Sequence, residues 1–136
     1  MMSQSPKKGY NGYLLTDAAR DQLLETVPPM FADVVAHHVT HEFGVYETLP
    51  PDVPSVRVLA VSNNTTVQAV VVSVFDRVGG YLRPSDNSVY HITLSLDKAA
   101  GAKAVDSNDM LTGNSKWQLV TPFDLAVVPT FFPFGG

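Results

Sequence analysis

The sequence of 136 residues contains no cysteine. That excludes a disulfide framework, thiol catalysis and any thiolate-ligated metal or cluster, and it is compatible with a reducing cytoplasm. Charge is scarce as well. Asp, Glu, Lys and Arg make up 16% of the chain, against about 25% in an average soluble domain, whereas hydrophobic residues reach 45%. That balance excludes an extended disordered chain, a coiled coil and a collagen-like repeat. Nine basic side chains face 13 acidic ones, for a formal net charge of -4. No basic run exceeds the pair Lys7-Lys8, which argues against duplex DNA gripped through many phosphates. Long apolar runs are missing too. Runs such as Ala69-Val70-Val71-Val72, none longer than four residues, fall far below the ~20 residues of a membrane helix, and the polar stretch Met1 to Gly12 holds no signal-peptide core. The expectation is a cytoplasmic protein with no membrane partner.

What is present is strand and turn chemistry. No linker divides the chain, so a flexible tail over residues 1–10 and a single domain over residues 11–136 are expected. Tyr13-Leu14-Leu15 reads as a short strand. Thr16 then reads as a helix N-cap with Asp17 in the first turn, and Pro28-Pro29 stops that helix. Phe31 to Val35 suggests a helical turn, and His37 to Phe43 a strand ended by Gly44. Two β-rich runs, Val56 to Ser62 and Thr65 to Phe75, flank Asn63-Asn64 as a hairpin. Gly79-Gly80 and Pro84-Ser85-Asp86-Asn87 are turn signals around a short strand at Tyr81-Leu82. Val89 to Leu96 is the clearest strand. Ser107 reads as the N-cap of a short helix through Leu111, closed by Gly113-Asn114. Lys116 to Val120 and Asp124 to Val128 read as two more strands.

One internal echo carries chemistry: His38-Val39-Thr40 returns as His91-Ile92-Thr93. Alternate side chains of a strand share a face. His91, Thr93 and Ser95 therefore lie opposite the apolar set Tyr90, Ile92, Leu94 and Leu96, and His38 and Thr40 lie together with Val39 behind them. Two such strands would present a symmetrical pair of arms. One imidazole, neutral, can take a proton from an attacking water or hydroxyl, while the other, charged, gives one to the departing oxygen. The Thr hydroxyls can hold the non-bridging oxygens of a phosphate. Such a scheme uses no metal and no cofactor.

The two His-hydrophobic-Thr motifs, 53 residues apart, resemble the signature of the two-histidine phosphoesterase superfamily. The stretch Gly101-Ala102-Lys103-Ala104-Val105-Asp106-Ser107-Asn108 is similar to a segment following the second motif in the phosphodiesterase domain of fungal tRNA ligases. The resemblance implies a bilobed α+β fold, with antiparallel sheets around a central cleft and few short helices. It also implies metal-independent phosphodiester chemistry at a 2′,3′-cyclic phosphate RNA end or a small cyclic or 2′-linked oligonucleotide. On that resemblance His38 and His91 are the catalytic pair, Thr40 and Thr93 bind the phosphate, and Ser107 is a further substrate contact. Two departures accompany it: His41 stands where an apolar residue is usual, and the chain is short, which suggests trimmed loops and an open site. The alternative from another class is a sequestering module that binds a nucleotide or RNA end in the same cleft without turnover.

Other residues read more plainly. His37 would point away from His38 in a regular strand and suits a structural role. His37 and His41 could share zinc on a helix, but on a strand they lie ~13 Å apart and cannot. Arg57, Arg77, Arg83, Lys98 and Lys103 could each neutralise a phosphate, although each reads first as a solvated surface charge. Tyr13, Tyr81, Tyr90 and Trp117 could stack on a base, with core or rim packing as the simpler duty.

Overall fold

The computed structural model describes residues 7–74, 80–84, 86, 88–112 and 116–134. The architecture is α+β and dominated by one antiparallel sheet of seven strands. In chain order the elements are β1 (Lys8–Leu15), α1 (Asp17–Thr26), β2 (Asp33–Val34), β3 (His38–Tyr46), β4 (Ser55–Asn63), β5 (Val67–Ser73), β6 (His91–Leu96), a 3-10 turn (Lys98–Ala100), α2 (Asp106–Thr112) and β7 (Gln118–Pro133). Across the sheet the order is β2-β6-β5-β4-β7-β1-β3.

Helix α1 begins where the sequence predicts. The Thr16 Oγ1 accepts the Ala19 N–H at 3.1 Å, and Asp17 meets the positive end of the helix dipole. The last bond runs from the Val27 N–H to the Leu23 carbonyl, and Pro28 and Pro29 have no N–H to continue it. Ala19 and Leu23 are the buried side of the helix, and it packs on β7 and β1.

Strand β5 explains its own run of valines. Val70 and Val72 join the core of Tyr13, Val39, Val58, Ile92 and Leu125, whereas Val67, Ala69 and Val71 face Leu96, Met110 and Leu111. A central strand covered on both faces has no polar side to alternate with.

Several expectations change. The expected tail over residues 1–10 is corrected at its end, because β1 begins at Lys8 and pairs with both β3 and β7; residues 1–6 lie outside the described residues. The helical turn expected at Phe31 to Val35 is instead the two-residue strand β2, held on Leu96 and Ser95 of β6. Gly44 does not end β3, which runs on to Tyr46 with Gly44 at φ +75°. The hairpin between β4 and β5 turns on Asn64, whose side-chain oxygen accepts the N–H groups of Thr66 and Val67. Leu82 makes only an isolated bridge to Val89. Ser107 is the second residue of α2 rather than its cap. The turn residues Gly79, Ser85, Asn87, Gly113 and Asn114, and Arg77, lie outside the described residues.

The last two predicted strands are one. β7 spans 16 residues despite Pro122, Pro129 and Pro133. Its first half pairs with β4 as far as Ala126, and its second half pairs with β1 from Val127. Each half therefore has a neighbour on one side only, and on the open side a missing N–H costs no ladder bond. Pro122 falls in the irregular step between Leu119 and Phe123. The two expected sheets are in this way joined into a single sheet by a shared strand.

Chain closure positions the site. Between β2 and β3 the backbone crosses from β6 to β1: the Val35 and Ala36 N–H groups donate to the Leu94 and Thr93 carbonyls at 2.8 and 2.9 Å, and the His37 carbonyl accepts the Leu15 N–H at 3.0 Å. Ala36, fully buried, makes the crossing at φ +41°, a left-handed conformation that costs an L-residue about 1–2 kcal/mol. Gly12 allows β3 to lie close on the other side. A Cβ there would stand 2.0 Å from the Val39 carbonyl oxygen.

Candidate active site

The crossing at Ala36 brings β3, at one edge of the sheet, against β6 near the other. His38, Thr40, His91 and Thr93 all line one cavity of about 190 Å³, completed by Tyr10, Val35, Phe43, Arg83, Ala104, Val105 and Asn108. The period-two alternation holds along the start of β3 and on β6 as far as Leu94. Past the register shift between Gln68 and Ala69, Leu96 packs with Val67 and Ala69 instead of with Ile92 and Leu94, and Ser95 bonds Gln68 instead of joining His91 and Thr93. Val39 and His41 are buried on the core side of β3, and Ile92 and Leu94 on that of β6.

Each imidazole has a partner that defines its state. The His91 Nδ1 lies 2.9 Å from the Val89 carbonyl oxygen. A carbonyl can only accept, so Nδ1 carries the proton and Nε2 is the nitrogen left for chemistry. Burial lowers the His91 pKa, the Val89 carbonyl raises it, and the Arg83 charge lowers it, with a net downward shift. The His38 Nδ1 lies 2.9 Å from the His37 Nδ1. The His38 pKa is lowered to about 4 by burial first, then by the charges of His37 and His91. His38 is thus neutral at pH 7.

His37 differs from its expected place. It turns its exposed ring to the same side as His38, edge-on at 5.1 Å, and packs near Phe132. It is not in the strand, which starts at His38. His41 is the reverse case. It is buried on the core side, stacks on Tyr90 and approaches the Tyr90 hydroxyl at 2.6 Å. The departure noted at this position is therefore accommodated by a polar contact that ties β3 to the residue just before β6. Tyr13 and Tyr90 are fully buried core residues, neither of them open to a base.

The hydroxyls are not equivalent. Thr40 is half-buried on the cavity wall. Thr93 is nearly covered, with its Oγ1 2.9 Å from the Ser107 Oγ and 3.4 Å from the Ala104 carbonyl. Ser107 is fully buried and does not line the cavity. Its reach is through Thr93: when the Ser107 hydroxyl donates to Thr93, the Thr93 proton is free to exchange its long contact with Ala104 for a shorter one to a ligand oxygen. The N–H groups of Asp106, Ser107 and Asn108 already donate to the carbonyls of Lys103, Ala104 and Val105, so they do not form an anion seat.

Sequence reasoning undervalued three cavity residues. Arg83 is 4% exposed, not a solvated charge. Its Nε and Nη2 donate to the Asp86 carboxylate at 3.1 and 2.7 Å, and its guanidinium lies 5.8 Å over the Phe43 ring. Burial raises the Asp86 pKa, but hydrogen bonds from Arg83 and Ser88 outweigh it and the net shift is downward. Tyr10, assigned to the tail, faces Phe43 across the β1–β3 pair and stacks on Phe132 at 4.9 Å. Phe43 is 52% exposed and gives the cavity an aromatic lip. The signal for Tyr10 was its spacing from Tyr13, Leu14 and Leu15. Arg83 had a local signal in Asp86 three residues on, but its place over Phe43 depends on a contact distant in sequence.

Among the described residues, the basic side chains lining this cavity are Arg83 and the two imidazoles, and no carboxylate lines it. No group of three or more His, Asp or Glu among the described residues is placed to hold a metal ion. No described helix is long and apolar enough to cross a membrane. The chain matches no protein-family model, no curated protein and no solved structure.

Proposed function

We propose that the protein is a metal-independent phosphodiesterase of the two-histidine phosphoesterase type. Its substrate is a 2′,3′-cyclic phosphate at an RNA end, or a small cyclic or 2′-linked oligonucleotide. The observation that carries this reading is the convergence of His38 and His91, each with its Thr, on one cavity that also holds a buried Arg and, among the described residues, no carboxylate. A phosphodiester is an anion that needs hydrogen-bond donors, a proton acceptor and a proton donor, and this set supplies all three.

In this reading the two imidazoles take different roles. His38, held neutral by burial and by its two neighbouring imidazoles, is the base. Its free nitrogen takes a proton from water as the water oxygen bonds to phosphorus. His91 is the acid: burial lowers its pKa as well, but the Val89 carbonyl opposes that shift by favouring the charged form, a support His38 lacks. Its Nε2–H gives a proton to the 2′ or 3′ oxygen as the phosphorus–oxygen bond breaks, leaving a phosphate monoester. His38 ends protonated and His91 neutral, and exchange with solvent resets both. Thr40 and Thr93 donate to the non-bridging oxygens, and Arg83 offsets the charge that accumulates on them. Phe43 and Tyr10 offer the flanking sugar and base an aromatic edge.

The test is hydrolysis of nucleoside 2′,3′-cyclic phosphates and cyclic dinucleotides in excess chelator by the wild type, His38→Ala and His91→Ala. Each substitution lowers kcat by about 10²-fold or more, while binding of a nucleoside 2′-monophosphate persists. Full activity in either variant refutes the acid–base pair. Binding without turnover in the wild type would identify the protein as a sequestering module.

A further inference from the structure

The catalytic cavity does not end at Ala104. A second, more open cavity of about 580 Å³ shares Val35 and Ala104 with it and continues along Leu96, Lys98, Gly101, Ala102 and Lys103. In a chain of net charge -4, no carboxylate among the described residues lines either cavity, and the cationic side chains that do are Arg83 at the histidine end and Lys98 and Lys103 at the other. Both lysines are exposed, and neither forms an ion pair with a described residue.

The nearby carboxylates are otherwise engaged. Asp33 accepts the Lys98 N–H at 3.0 Å, Asp97 accepts the Ala100 N–H at 3.3 Å, and Asp106 accepts the Lys103 N–H at 2.9 Å. These bonds fix the 3-10 turn and the loop before α2, and Gly101 completes the turn at φ +88°. The lysine side chains thus project from a braced loop whose acidic groups do not line the groove.

We infer that Lys98 and Lys103 form a second phosphate subsite, which takes the 5′-phosphate of the nucleotide whose 2′,3′-cyclic phosphate lies between the histidines. The inference rests on the phosphodiesterase reading and narrows it to a linear RNA end, one phosphodiester beyond the scissile group. Two lysines make a single electrostatic step, too short to track a longer strand. Specificity for a chain terminus over a free mononucleoside would follow from that one contact.

A matched pair of substrates isolates it: adenosine 2′,3′-cyclic phosphate and the same compound carrying a 5′-phosphate. The wild type should prefer the 5′-phosphorylated compound about tenfold in kcat/KM, with the preference shrinking as salt rises. In Lys98→Gln/Lys103→Gln the preference should fall to about one. Equal rates for the two compounds in the wild type, or an undiminished preference in the double variant, would overturn the subsite. If neither compound is hydrolysed, the phosphodiesterase reading fails, and calorimetry still decides the subsite. Adenosine 3′,5′-bisphosphate should then bind about tenfold more tightly than adenosine 3′-monophosphate in the wild type alone, and equal affinities would refute it.

Discussion

Acidification should unfold this protein through its own catalytic base. His38 has a pKa of about 4 in the fold and 6.5 as an unperturbed group, with burial as the main cause and the charges of His37 and His91 adding to it. Between those values the unfolded chain binds a proton at His38 that the folded chain refuses, so stability rises with pH across the window and falls as pH is lowered. At 1.36 kcal/mol per pKa unit, this one residue removes about 3 kcal/mol by the time pH reaches its folded-state value, and nothing further below it. His91, whose pKa is also lowered, acts in the same direction. Urea unfolding of the wild type and of His38→Gln at intervals from pH 7.5 to 4.5 measures the effect. The wild type should lose stability steadily below pH 6.5, and the variant should show a shallower slope, the curves differing by most of that ~3 kcal/mol at the acid end. Parallel curves would mean that the His38 ring is solvated and that the cavity does not desolvate it.

Catalysis should share that acid bias. The competent free enzyme has His38 neutral and His91 charged, and both pKa values are lowered, so kcat/KM should peak below pH 6.5 with a bell shape; a plateau from pH 5 to 9 would count against the pair. Arg83→Gln should raise KM on the order of tenfold, let the His91 pKa rise, and return Asp86 toward the ordinary carboxylate range, because Arg83 contributes to both shifts; an unmoved Asp86 titration by NMR would deny the contact. Tyr90→Phe removes the 2.6 Å contact to His41 and should destabilise the fold by about 1–3 kcal/mol, read as a shift in urea midpoint; a neutral substitution would show that the contact does not tie β3 to β6.

The parts of the site legible in the sequence are those governed by local periodicity. His38 with Thr40, and His91 with Thr93, share faces because a strand alternates whatever its neighbours are. The N-cap at Thr16 and the stop at Pro28 are local chemistry too. The remainder depends on distant pairing. Prolines 122 and 129 read as breaks until the exchange of partners along β7 is known. Arg83 reads as a surface charge until Phe43 is brought against its guanidinium. His37 reads as facing away because the chain is not yet a strand there, and the left-handed turn at Ala36 resets its direction. Ser107 reads as a cap or a ligand contact, whereas its hydroxyl is covered by Thr93.

The central claim is that two imidazoles address one phosphate. It is tested most directly by following the ring nitrogens of His38 and His91 by NMR while adenosine 2′-monophosphate is titrated into the wild-type protein. Both rings should shift at the same ligand concentration, and both pKa values should move upward as the anion favours their charged forms. A response from one ring alone, or from neither, would contradict the account.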